Sequence, residues 1–466
     1  MSQRLVPRAP KPRGLYWDWL IVGAALTTAC SFGTRWLYNY PPVNWRVIVL
    51  TARMRDFINP PPETIPTRSG PVAAPPTFAL DPGTATLVAT QQANAIPTDG
   101  APPRAGTDAP QLTPAPTLSA LAPSGFYPTA PPLDTSDLPR QVELTGARWE
   151  PQLLNNCAPA TLTEALTYWG WRGTESDEPT WYASGKDVRW QLDIASVVKP
   201  QGGKDYNVMA YELADYAIEY AGLNALVRYG GDVDALRRLA ANGIPVIVER
   251  GFREAEHEQA GGGRQGHYGL ITGYDDVAGA FLLQDTFMGA NYRRSYDQIN
   301  RDWRAFNYLY LVIFPDERAQ MVTNLLGPNA DEATNYANAL AKAQAETQST
   351  STAEEQAFAW FNVGTSLTLL GRYEEAALAY DRARSFNLLP WRMLWYQTGP
   401  YRAYYQAGRY ADVIALADSV LATVRIEESY YWRGWHDTRK MMPRAPRPIF
   451  APRWQSIPAG IPRWKL

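Results

Sequence analysis

From about Asn59 to Leu138 the chain is dense in Pro, Ala, Thr and Ser and poor in large apolar residues. Such a stretch cannot bury enough surface to offset the entropy of ordering it. It is expected to be a disordered linker with an extended, polyproline-like preference, since most of the chain's 39 prolines crowd here and near the termini. Whatever folds must therefore lie on either side of residues 59–138, and the long side is the C-terminal one.

Before the linker, Trp19 to Thr34 is uncharged and mostly apolar. Arg4, Arg8, Lys11 and Arg13 precede it in a basic segment over 1–14, and Tyr16, Trp17, Trp36, Tyr38 and Tyr40 flank it. An apolar span edged by aromatic residues suits a membrane interface, and residues 15–40 are expected to be a transmembrane signal anchor, with 41–58 juxtamembrane. A cleaved signal peptide, or a lipoprotein signal with Cys30 acylated, are the competing readings. Arginines follow the span as well as precede it, so charge does not set its orientation.

Beyond the linker, Cys157 opens an apolar helical stretch in Gln152-Leu153-Leu154-Asn155-Asn156-Cys157-Ala158-Pro159-Ala160. A helix N-terminus puts backbone N–H groups and the positive end of the helix dipole beside the sulfur, which favours the nucleophilic thiolate. Such a nucleophile needs a base, and the base needs a third group to orient it. Of three histidines, His257 lies in a polar Gly-rich run and His436 in a C-terminal helical region. His267 begins the strand-like run Gly266-His267-Tyr268-Gly269-Leu270-Ile271, and a second run, Ala280 to Asp285, follows at hairpin spacing. Antiparallel pairing around the Asp275–Gly279 turn would return Asp285 to the side of His267.

Gln152, then Asn-Cys-x-Pro-Ala opening a helix, then Gly-His-Tyr before a strand and Gln-Asp after the next, resembles the papain-like cysteine peptidases of the bacteriocin-processing, double-glycine leader type. The resemblance covers about Val142 to Pro315. It implies an α+β papain-like domain over 139–316, a Cys-bearing helix packed on an antiparallel sheet that bears the His and Asp. It also implies Cys157 as nucleophile, His267 as general base and acid, Asp285 as the residue orienting the imidazole, and Gln152 as oxyanion donor. Ala158 and Thr286 depart from the family, which commonly has Gly and often Pro there, and the Gln-to-Cys spacing is one residue tighter than in many relatives.

Between nucleophile and base the pattern predicts helices over Thr161–Trp169, Val208–Ala221 and Val233–Ala241, the last capped by Asp232, and a β-branched strand at Ile244–Glu249. Tyr308–Phe314 reads as another strand, stopped by Pro315. Past it comes Ala-rich Asp331–Thr347, and then Trp360, Gly364, Leu367, Gly371-Arg372-Tyr373, Ala376, Tyr380 and Ala383. These fall near the signature positions of a tetratricopeptide repeat, and a degenerate copy runs from Trp395 through Gly408-Arg409-Tyr410 to Val420. An all-α helical-repeat domain over 325–441 is expected, with a concave face able to hold a peptide or partner protein. A plain helical hairpin packed on the peptidase domain is the simpler alternative. Residues 442–466 read as a Pro/Arg/Trp-rich extended tail.

A net charge of −2 gives no reason to expect nucleic acid, and neither a P-loop nor a Cys/His zinc spacing is present, so no cofactor or metal is expected. The sequence therefore reads as a membrane-anchored, extracytoplasmic cysteine peptidase acting on a peptide or protein substrate. The alternative is a peptidase-like adaptor without turnover, which binds through its repeats.

Overall fold

The computed structural model describes residues 64–67, 137–173, 187–199, 207–252 and 265–441. The expected anchor over 15–40 and the tail from 442 lie outside them. Among the described residues no helix is long and apolar enough to cross a membrane.

His267 and Asp285 sit on a seven-stranded antiparallel sheet with helices on both faces, and Cys157 on one of those helices. In chain order the elements are β1 (Gln141–Glu143), α1 (Cys157–Tyr168), α2 (Arg189–Val198), α3 (Ala210–Glu219), β2 (Asn224–Arg228), α4 (Val233–Ala241), β3 (Val246–Phe252), β4 (Gln265–Asp275), β5 (Ala280–Asp285), β6 (Gly289–Ser295), α5 (Tyr296–Trp303), β7 (Tyr310–Phe314) and α6 (Ala319–Leu326). The strands lie in the order β2-β7-β3-β4-β5-β6, with β1 beside the far end of β4.

Period-two alternation decides which side chain meets which layer. Ile247, Leu270, Leu311 and Ile313 point to the face covered by α1 and α3, whereas Val246, Val248, Ile271, Tyr310, Val312 and Phe314 point to the face covered by α4, α5 and α6. β7 is buried along its whole length for this reason, which explains its unbroken apolar sequence. The expected cap on α4 forms, with Asp232 accepting from the Ala235 N–H at 2.6 Å.

After α6 the chain is helical: α7 (Glu332–Ser349), α8 (Ala353–Leu369), α9 (Tyr373–Ser385), α10 (Met393–Tyr396), α11 (Gly399–Gln406), α12 (Tyr410–Leu421) and α13 (Glu427–Met441). Two helix pairs, α8/α9 and α11/α12, turn at Gly371 (φ 75°) and Gly408 (φ 73°), a left-handed conformation that glycine adopts without a steric cost. Gly364 lets α8 and α9 approach, since a Cβ there would lie 2.7 Å from the Tyr380 ring.

The helical region shares one apolar core with α1 and α3, running from Leu162 and Leu213 through Phe361, Tyr380 and Trp395 to Ile426. Polar ties reinforce the junction: Asn307 donates to Ser366 Oγ at 2.9 Å, Asn362 to the Arg304 carbonyl at 2.9 Å, and Gln397 to the Ala305 carbonyl at 2.8 Å.

One expectation needs correcting. Thr64–Thr67 fall within the stretch assigned to a disordered linker, yet they lie packed on the helical region, with Ile65 only 2% exposed. Ile65 is one of the few large apolar residues of that stretch, so it brings a buried surface that the surrounding Pro/Ala/Thr sequence lacks.

Candidate active site

Asn155 takes a left-handed turn (φ 56°), a conformation asparagine tolerates, and the chain then enters α1 with Cys157 as the first helical residue. Gln191 on α2 fixes this entry. Its Oε1 accepts from the Leu153 N–H at 2.8 Å, and its Nε2 donates to the Pro151 carbonyl at 3.0 Å and to Glu150 Oε2 at 3.1 Å. Lys199 at the end of α2 donates to the Asn155 carbonyl at 2.7 Å, which sets a buried positive charge beside the start of α1.

β4 carries His267 and β5 ends at Asp285, and the hairpin between them brings the two side chains together. His267 Nε2 lies 3.0 Å from Asp285 Oδ1. The remaining ring nitrogen, Nδ1, is then left for the Cys157 thiol, to which the imidazole is hydrogen-bonded. Both His267 and Asp285 are buried, at 3% and 0% exposure, while Cys157 stays partly exposed. Cys157 is therefore the most accessible residue of the three, and its two supporting groups are shielded from water.

Asp285 is surrounded by donors. Its Oδ1 also accepts from the Phe287 and Met288 N–H groups at 3.0 and 2.9 Å, and its Oδ2 pairs with the fully buried guanidinium of Arg250 on β3. Burial alone would raise its carboxyl, but the charges of His267 and Arg250 and the bond from Met288 hold it far below the usual carboxylate range.

Burial likewise opposes ionisation of the thiol, yet its hydrogen bond to His267, the charge of that ring, the Tyr268 backbone and Lys199 outweigh burial and lower the Cys157 pKa. Burial pulls the His267 pKa down, and the Asp285 carboxylate and the Cys157 sulfur more than reverse that. A lowered thiol beside a raised imidazole favours a thiolate–imidazolium pair. Glu249, buried on β3 opposite Tyr268, is pushed well above the carboxylate range by burial, and the charge of Cys157 adds to the rise, so ionisation of the thiol favours the neutral acid there.

Gln152 sits in the segment leading to α1. Its Oε1 accepts from Thr286 Oγ1 at 2.9 Å and its N–H donates to the Thr286 carbonyl at 3.0 Å. Tying down the carbonyl end turns the amide nitrogen into the available donor; among the described residues that nitrogen has no protein partner. Thr286 is thus the residue that orients Gln152.

His257 lies outside the described residues, and His436 falls in α13, away from β4 in the chain. Sequence reasoning missed Arg250, Gln191, Lys199 and Glu249, because a side chain contributed across a sheet or from a separate helix leaves no local pattern. Tyr396 was missed for the same reason. It comes from α10 in the helical region and covers Gly266, where a Cβ would lie 3.0 Å from its ring, so it borders the His267 end of β4.

Residues 137–311 match the model of the Peptidase_C39 like family. This C39-like region contains every residue of the cluster except Tyr396. No curated protein matches the chain. Among solved structures, a protein from Bacillus anthracis described as a C39-like peptidase is similar at 16% identity and a TM-score of 0.28, over 37% of this chain and 96% of that one.

Behind the site, Glu150 and Glu164 are fully buried. Burial raises the Glu150 pKa from 4.5 to about 7 and carries that of Glu164 well above the ordinary value, with Asp285 and Glu150 adding to the second shift. A proton held by the folded chain and released by the unfolded one makes folding more favourable at low pH. The Glu150 contribution is complete below pH 4.5 and is lost as pH rises toward 7, a change of about 3 kcal/mol over the shift. Glu150→Gln keeps an oxygen able to accept from Gln191 and is expected to flatten this decline. Urea unfolding midpoints at pH 5 and pH 8 measure it: the difference between the two pH values should shrink in the variant.

Proposed function

We propose that the C39-like region is a cysteine peptidase, in which Cys157, His267 and Asp285 act as a triad and Gln152 as oxyanion donor. The observation that carries this reading is the buried His267–Asp285 pair set against a partly exposed thiol whose proton affinity is lowered by that same imidazole. The Cys157 thiolate attacks a peptide carbonyl carbon, and the carbonyl π electrons move to oxygen. The Gln152 amide and the Cys157 backbone N–H stabilise the oxyanion that forms. His267 gives its Nδ1 proton to the departing amine as the C–N bond breaks, which leaves a thioester on Cys157. A water molecule then loses a proton to the same nitrogen and attacks the thioester, releasing the acid and the free thiol. Through both halves Asp285 holds the imidazole by Nε2, and Arg250 holds Asp285.

Residues 15–40 are read as a membrane anchor, with the catalytic region on the extracytoplasmic side. The helix pairs of the C-terminal region are read as tetratricopeptide-like repeats that bind an extended peptide or a partner protein. The sequence positions at Gly364, Gly371 and Gly408, each small or left-handed where the helices turn or meet, support this.

Peptides carrying an electrophilic carbon at the scissile position test the catalytic reading. Mass spectrometry should find a single covalent adduct, mapped to Cys157 and absent from Cys157→Ala. A folded protein that forms no adduct would leave a peptidase-like adaptor as the better reading.

A further inference from the structure

The helical region holds a short extended piece of the chain that lies far away in sequence. Thr64 forms an antiparallel bridge with Pro390, and the Ile65 N–H donates to the Leu389 carbonyl at 2.9 Å. Thr64 Oγ1 donates to Asn387 Oδ1 at 2.7 Å, and Arg384 Nε donates to the Pro66 carbonyl at 2.8 Å. Ile65 is 2% exposed and belongs to the main apolar core.

The receiving surface is also held by contacts of its own. Arg384, at the end of α9, is only 3% exposed and is also held by Tyr404 Oη at 2.9 Å and Asp412 at 3.3 Å. Asn387 is held in a left-handed turn (φ 55°), and Leu389 offers its carbonyl. Leu389 and Arg384 thus read the backbone of Ile65 and of the residue after it, and Asn387 reads the hydroxyl of the residue before it. The position after that side chain needs only a carbonyl, so proline fits there, because it lacks an N–H but keeps the acceptor. This is the logic of strand addition, in which main-chain hydrogen bonds hold an extended peptide and one pocket selects its residue.

We infer that the surface formed by Arg384, Asn387 and Leu389 is a docking site for an extended Thr-Ile-Pro segment, and that Thr64–Thr67 is its occupant. The folded part of the chain is then joined to the N-terminal part at two points, at Asp137 by sequence and at Pro66 by docking on the helical region. The docking shortens the effective tether. From Tyr40, 64 − 40 = 24 residues to the docked segment span at most about 80 Å when fully extended, against about 340 Å for the 137 − 40 = 97 residues to Asp137. That consequence rests on the membrane anchor of the proposed function, whereas the docking itself does not. The word Ile-Pro-Thr recurs at Ile96-Pro97-Thr98, which makes the second copy a natural control.

Hydrogen exchange read by mass spectrometry on the full chain, together with Ile65→Asp and Ile96→Asp, tests the inference. A carboxylate at position 65 cannot enter the apolar pocket, and the substitution changes no residue of the helices themselves. In the unaltered chain the Ile65 amide should exchange at least tenfold more slowly than in a free peptide of residues 60–70. Ile65→Asp should speed exchange across Asn387–Met393, and Ile96→Asp should leave both segments unchanged. An Ile65 amide exchanging at the free-peptide rate overturns the inference, as does an Ile65→Asp chain with unchanged exchange at Asn387–Met393, or faster exchange there in Ile96→Asp. None of these readouts depends on peptidase activity, so failure of the docking and failure of the catalytic reading are separable.

Discussion

Alanine in place of His267 is expected to slow the reaction of Cys157 with an electrophilic peptide at pH 6 by about a hundredfold or more, the usual worth of a positioned acid–base group. At that pH an ordinary thiol is almost wholly protonated. Cys157 is not ordinary, because the His267 hydrogen bond and charge outweigh its burial and bring its pKa down, while the sulfur and Asp285 bring that of His267 up. The reactive pair exists between those two values, so the rate for the unaltered protein should rise at acidic pH and level off below pH 8. Without His267, burial is opposed only by the Tyr268 backbone and Lys199, and the rate should climb toward alkaline pH. Stopped adduct formation at a series of pH values, mapped to Cys157, distinguishes the two curves.

The second large effect is structural. Arg250→Met is expected to destabilise the fold by about 3–5 kcal/mol, because it removes one partner of a fully buried ion pair and leaves the buried Asp285 Oδ2 without its cation. Removing Arg250 also removes part of what holds Asp285 below the carboxylate range, so the part of the loss carried by Asp285 should be complete at pH 7 and shrink only below the ordinary carboxylate range, toward pH 2. Guanidinium unfolding midpoints at both pH values measure this. If Arg250 is as tolerant as a surface arginine, the midpoint will move by less than 1 kcal/mol equivalent.

The hairpin that joins His267 to Asp285 was legible in the sequence because the information is local: two apolar runs and a turn of Asp and Gly at the right spacing fix the register. The start of α1 at Cys157 and the cap at Asp232 were legible for the same reason. Other parts of the site were not. Arg250 lies on β3 beside β4, and nothing near it in sequence distinguishes a buried guanidinium from an exposed one. Gln191 and Lys199 lie on and just after α2, a short helix whose run of residues carries no cap or turn signal to announce it. β2 has only five residues and β6 is largely polar, so their pairing is imposed by β7 and β5 and not by their own propensity. Ile65 shows the opposite failure. Composition over a long window assigned its surroundings to a linker, and a single apolar residue was enough to seat four residues on the helical region.

The central claim is hydrolysis of peptide bonds at Cys157. The most direct test is to incubate the full chain with a mixture of peptides of mixed sequence and to look by mass spectrometry for new termini, with Cys157→Ala alongside. New termini at a recurring sequence, present with the unaltered protein and absent with Cys157→Ala, are the predicted result. The same termini with both proteins, or none with either while both are folded, would contradict it.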